Sequence, residues 1–211
     1  MKKIMMFFVM SSFIFAAGCK EELSQKTSEK TVEKSVEKPI QQVKTKKVGM
    51  FIAFNNFRDE EYQITKETLE NAGILVETIS ISKGIAKGMI KITANVDKTV
   101  DEINPNDYDI LVFIGGSGSL NNLDNEKIHN IVRKFYSTKN KIAAICLSPV
   151  ILAHSGILEG KKATVWEGAK DELIKNKAIY TGKSGEIDSN IITANGPESA
   201  KEFAKKIIEI I

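Results

Sequence analysis

Val48-Gly49-Met50-Phe51-Ile52-Ala53-Phe54 is a continuous apolar run that stops at Asn55-Asn56. A run of this length without polar alternation suits a strand covered on both faces, and such strands belong to parallel sheets. Asp59 to Ala72 then reads as a helix, with Asp59 placed to cap it and Gly73 to stop it, and Ile74 to Ile79 reads as the next strand. The βαβ unit repeats downstream. Tyr108 to Ile114 is a strand ending at Gly115-Gly116, and Glu126 to Tyr136 is a helix with Ile128, Ile131, Val132 and Phe135 on one side. Lys141 to Ile145 is a third buried strand, with Cys146 at its end. Pro149 to His154 starts another helix, Lys162 to Val165 and Ile191 to Ala194 read as strands, and Glu198 to Ile210 is a closing helix. The alternation predicts an α/β fold: a doubly wound, mostly parallel sheet with helices on both faces. Sites in such sheets form beyond the carboxyl ends of the strands. The loop after Phe54, the Gly115-Gly116 loop and the turn at Cys146 should therefore converge.

Upstream of this domain the chain changes character twice. Lys2 and Lys3 precede an apolar run from Ile4 to Phe15, too short for a comfortable bilayer span, and Ala16-Ala17-Gly18 lead into Cys19. Residues 1–18 therefore read as an export signal, and the small residues before Cys19 match a lipobox, although Ala16 stands where leucine is commonest. That resemblance implies diacylglycerol on the Cys19 sulfur and an extracytoplasmic, membrane-anchored protein. An ordinary cleaved signal or an uncleaved anchor are the alternatives. Residues 19–46 repeat a Ser/Thr-Val-Glu-Lys theme at Thr31 and Ser35, hold almost no aromatics, and cannot bury enough apolar surface to offset ordering. They read as a charged tether to a single domain spanning 47–211.

The chain carries 30 Lys and Arg against 27 Asp and Glu, but 10 of those cations and only 5 of those acids precede Val48. The domain itself is slightly acidic, which argues against a nucleic-acid partner. Gly115-Gly116-Ser117-Gly118 lacks the spacing of a dinucleotide or Walker loop, so no cofactor is assigned. One free thiol and two distant histidines, His129 and His154, make no metal site. With Cys19 acylated, Cys146 is the remaining thiol of the 2 cysteines, so an intramolecular disulfide is excluded.

Cys146 lies between a buried strand and a helix start, as the nucleophile does in a hydrolase elbow, and a helix amino end favours thiolate. A small, packed hydrophobe is the alternative reading. Four stretches extend the pattern: Phe57-Arg58-Asp59-Glu60-Glu61-Tyr62; Ile103 to Asp109 leading to Ile114-Gly115-Gly116; Ala143 to Pro149; and Thr193-Ala194-Asn195-Gly196-Pro197. In this order they resemble the successive signatures of the DJ-1/PfpI family over about Lys46 to Ile211. The resemblance implies a flavodoxin-like, class I glutamine amidotransferase-like fold, usually homo-oligomeric. It also implies a nucleophile at Cys146, an acidic partner at Glu61, backbone amides of Gly115, Gly116 and Leu147 facing the thiol, and Ser148, Pro149 and Trp166 lining the site. A solvated carboxylate complementing a helix start is the alternative for Glu61. A protonated Glu61 beside the thiol is expected to hold Cys146 below the roughly 8.5 of free cysteine.

Two family histidines are replaced, one by Leu147 and one by Trp166, and the late His-x-Glu pair of glutamine amidotransferases is absent. General base assistance is typically worth about 10²- to 10⁴-fold. The preferred expectation is thus a redox-sensitive or stress-related domain with weak or no hydrolase activity. The alternative is a cysteine-dependent enzyme acting on reactive aldehydes, glycated amines or peptides.

Overall fold

The computed structural model describes residues 45–211, so the expected signal, Cys19 and most of the tether lie outside the described residues. The chain order is β1 (Lys47–Phe51), β2 (Asn55–Phe57), α1 (Asp59–Asn71), β3 (Leu75–Ser80), β4 (Gly84–Gly88), β5 (Thr93–Val96), β6 (Lys98–Thr99) and β7 (Ile110–Phe113). Then come α2 (Glu126–Ser137), β8 (Lys141–Ile145), α3 (Pro149–His154), β9 (Lys162–Ala163), α4 (Lys170–Lys175), β10 (Ile179–Tyr180), β11 (Gly185–Asp188), β12 (Ile191–Ala194) and α5 (Ala200–Ile210).

The main sheet runs β11-β12-β8-β7-β1-β3-β6, and every pairing is parallel except that of β11 with β12. Alternate strand residues feed two cores. Val48, Met50, Ile110, Val112, Ala143 and Ile145 pack with Tyr62, Leu69, Phe203 and Ile207 of α1 and α5. Phe51, Leu111, Phe113, Ile142 and Ala144 pack with Ile128, Val132 and Phe135 of α2 and with Val150 and Leu152 of α3. The doubly wound α/β fold with helices on both faces is the architecture observed. Central strands apolar on both sides are what this double cover requires.

Several local readings are corrected. Asp59 does not cap α1; Arg58 occupies that position without a side-chain cap bond. The Asp59 carboxylate instead accepts from the amides of Ile90 (3.0 Å), Lys91 (2.8 Å) and Ile92 (2.6 Å). Burial opposes its ionisation, but the run of amides from Met89 to Ile92 outweighs burial and holds the carboxyl below its usual value. Asp59 thus clasps the β4–β5 hairpin, which together with β2 forms a separate three-stranded sheet. The expected strand from Lys162 to Val165 shortens to β9, which pairs with β10 instead of joining the main sheet. The closing helix starts at Ala200, after a single 3-10 turn at Pro197–Ser199.

Candidate functional site around Cys146

Cys146 follows β8 directly and adopts φ 63°, a left-handed backbone that a side chain seldom takes. Its amide donates to Ala194 O at the end of β12 (2.9 Å), and its carbonyl accepts from Trp166 N (2.8 Å). Hydrogen bonds on both sides of the residue fix the turn, and the chain then enters α3 at Pro149. The sharp elbow read from the sequence is present at this residue.

Glu61 reaches the same place from the first turn of α1. It is fully buried, and its Oε2 accepts from the Gly115 amide at 2.9 Å. Gly115 explains how thiol and carboxyl meet: a β-carbon there would lie 2.5 Å from Cys146 Cβ and 2.8 Å from Glu61 Oε2. A side chain at 115 would push them apart. Gly116 is held at φ 109°, and a β-carbon there would fall 2.5 Å from both Arg58 N and Asn56 O. The convergence expected of the three loops is met in these contacts.

Burial raises the Glu61 carboxyl to about 7, against the pull of the Cys146 thiol and the Gly115 amide. Burial also pushes the thiol up to about 12, and the Glu61 charge adds to it; the Gly116 and Leu147 amides only partly offset this. The expected lowering of Cys146 is therefore reversed. Two ionisable groups side by side out of water support one negative charge far more readily than two. Burial and the neighbouring carboxylate raise the thiol further than the carboxyl, so the single charge rests mainly on Glu61, with the proton on sulfur. Glu61 Oε1 receives no hydrogen bond of normal geometry, and the thiol is the group that interacts with this carboxyl.

The amides expected to face the cysteine divide. Gly115 is committed to Glu61, so the donors at the sulfur are Gly116 and Leu147. Trp166 and Leu147 line a cleft of about 810 Å³ above Cys146. Ser148 and Pro149 do not line it; both are buried, and Ser148 Oγ donates to Ile114 O at 2.8 Å, bracing the turn from below. The Trp166 indole lies over Gly168, where a β-carbon would come within 2.3 Å of ring atoms. Other walls come from Arg58, Met89, Leu120, Glu172 and Glu198, which no motif singled out as cleft residues. Glu198 was within reach of the sequence, because it follows the Asn195-Gly196-Pro197 signature directly.

Neither histidine is among the residues lining the cleft. His129 Nε2 bonds Leu123 O at 2.6 Å, and His154 spans Asp124 (Nδ1, 2.7 Å) and Glu172 (Nε2, 3.1 Å). Among the described residues, no group of three or more His, Cys, Asp or Glu is placed to hold a metal, and no helix is long and apolar enough to cross a membrane.

The family model described as DJ-1/PfpI matches residues 46–210. The chain belongs to the DJ-1/PfpI family. A relative of unassigned function from Methanocaldococcus jannaschii is 41% identical over 174 residues, covering 81% of this chain and 85% of its own. A family member from Pyrococcus furiosus named deglycase PfpI is 29% identical over 162 residues, covering 77% and 98%. A ThiJ/PfpI domain protein from Brachyspira murdochii superposes with TM-score 0.77 at 28% identity, over 79% of this chain and 96% of that one. The DJ-1/PfpI signatures around Glu61, Gly115, Cys146 and Asn195 thus fall inside the matched span.

Proposed function

We propose that the domain carries out slow cysteine-dependent chemistry on small carbonyl compounds, outside the cytoplasm on a membrane to which Cys19 anchors it. The observation that carries this reading is the buried Cys146–Glu61 pair, whose carboxyl is held at about 7 and whose thiol keeps its proton. A base poised near neutral pH is the one best able both to be ionised and to take a proton. As sulfur attacks a carbonyl carbon, the S–H proton passes to Glu61, the S–C bond forms, and the C=O π pair moves onto oxygen. The Gly116 and Leu147 amides, which already point at the sulfur, are placed to receive that oxygen. The deglycase name of the Pyrococcus furiosus relative agrees with an aldehyde-derived substrate. Methylglyoxal consumption by the purified protein is expected to be slow and to vanish in Cys146→Ala. Equal rates for the two proteins would overturn the reading.

The cleft's composition supports low activity, since Leu147 and Trp166 leave Glu61 to move protons without a histidine. Restoring an imidazole with Leu147→His or Trp166→His is expected to raise the rate by about 10²-fold, the low end of what a positioned base provides. No gain in either variant would mean that the missing histidines do not limit the rate.

A second reading keeps the sensor role, because below about 7 a protonated Glu61 can donate to oxygen on an oxidised sulfur. The raised thiol makes this the slower use of the site, since peroxide attack needs thiolate.

Anchoring is supported by the Ala16-Ala17-Gly18-Cys19 junction. Intact mass of protein taken from membranes is expected to show loss of residues 1–18 and an added lipid, whereas an unmodified soluble chain retaining Met1 would refute it.

A further inference from the structure

The cleft above Cys146 is unevenly charged. Its described lining holds the carboxylates of Glu167, Glu172 and Glu198 but a single cation, Arg58. That cation is already engaged, with Arg58 Nε 2.8 Å from Glu60 Oε2 and Nη2 3.2 Å from Glu60 Oε1. Glu167 is matched by Lys170 at 3.2 Å, and Glu172 by His154 at 3.1 Å and Lys175 at 3.6 Å. Glu198 is exposed and makes no ion pair among the described residues. At the inner end Glu61 is fully buried, with the Cys146 thiol as the group that interacts with its carboxyl. Glu198 is thus the lining carboxylate left with unmatched negative charge among the described residues.

The rest of the lining is apolar. Met89, Leu120, Leu147, Val150 and Pro197 surround an opening of a size suited to a small organic molecule. Trp166 stands in this wall with 52% of its surface exposed. An indole face attracts organic cations, more strongly as the site dries. A concave site with one sign of charge also concentrates ligands of the opposite sign.

We infer that this cleft recognises an organic ammonium ion with an apolar body, its cationic end held between Trp166 and Glu198. The inference rests on the cleft being the substrate site proposed above, and it names the class of molecule that enters. The ammonium is a recognition element that stays intact; the carbonyl, where present, lies nearer Cys146. Carboxylates and phosphates of similar size are turned away by the unmatched charge of Glu198.

Trp166 is the single tryptophan among 211 residues, so emission excited at the indole reports from this cleft alone. Three probes of one shape separate charge from shape: phenethylammonium, 2-phenylethanol and phenylacetate, titrated into the full chain at low salt. Phenethylammonium is expected to give a saturable change and to bind at least tenfold more tightly than phenylacetate, with 2-phenylethanol between them. Glu198→Gln, a substitution at an exposed site, is expected to reduce that preference severalfold. Equal or reversed affinities, no saturable change with any probe, or a preference untouched by Glu198→Gln would each overturn the inference. Methylglyoxal consumption in the same preparations reads the carbonyl chemistry separately. A charge preference without turnover sinks that chemistry and leaves cation recognition standing; turnover without the preference does the reverse.

Discussion

Glu61→Gln is expected to cut carbonyl turnover by about 10²- to 10⁴-fold while making Cys146 alkylate faster at pH 8.5. The two effects have opposite signs because Glu61 does two things to the thiol. As a base it takes the proton when sulfur attacks, and glutamine cannot. As a negative charge it adds to the burial that holds the thiol at about 12. Removing that charge lowers the thiol, and each unit by which it falls gives about tenfold more thiolate at a fixed pH below it. Burial remains, so the thiol stays above a free cysteine. Iodoacetamide rates against pH and methylglyoxal consumption, measured on both proteins, supply the check. If alkylation slowed together with turnover, the carboxyl would be stabilising the thiolate as a donor, and its assignment as base would fail.

The second large effect is on folding stability. Burial holds Glu61 at about 7 in the folded protein, against 4.5 as the ordinary value. A carboxyl raised by folding contributes most favourably below its unfolded value, where it is neutral in both states. The contribution fades as pH rises and is lost once pH exceeds the folded value. The swing corresponds to about 3 kcal/mol at roughly 1.36 kcal/mol per pH unit. The unfolding free energy of wild type relative to Glu61→Gln should therefore fall by about that amount between pH 4 and pH 8.5. Glutamine carries no ionisable proton and can still accept from the Gly115 amide. Denaturant unfolding of the two proteins across this range gives the measurement, and parallel pH profiles would show that Glu61 titrates normally in the fold.

The central strands were legible because β1, β7 and β8 are apolar on every residue that meets a helix layer. That pattern depends only on local composition. The β4–β5 hairpin was not legible, since Gly84-Ile85-Ala86-Lys87-Gly88 has neither periodicity nor an apolar run. It is held by long-range contact, from the amides of residues 90 to 92 to the Asp59 carboxylate, and a helix-start acid looks the same in sequence whether it caps or clasps. At the site, Cys146 and Glu61 could be named from signatures. The ionisation of the thiol could not, because its direction depends on how deeply both groups are buried and which of them carries the charge. Ser148 was misplaced for a similar reason: a hydroxyl two residues after the cysteine could face cleft or core, and the Ile114 carbonyl below decides it.

The left-handed backbone at Cys146 has a consequence for engineering. Residues with a β-carbon give up about 1–2 kcal/mol to take that conformation, and glycine does not. A library at this position selected only for heat resistance would thus favour glycine over alanine, serine or valine, and would discard the thiol in the process. Position 146 is one where thermostability and chemistry are selected in opposite directions, and any programme to harden this domain should hold it fixed and look for its gains elsewhere.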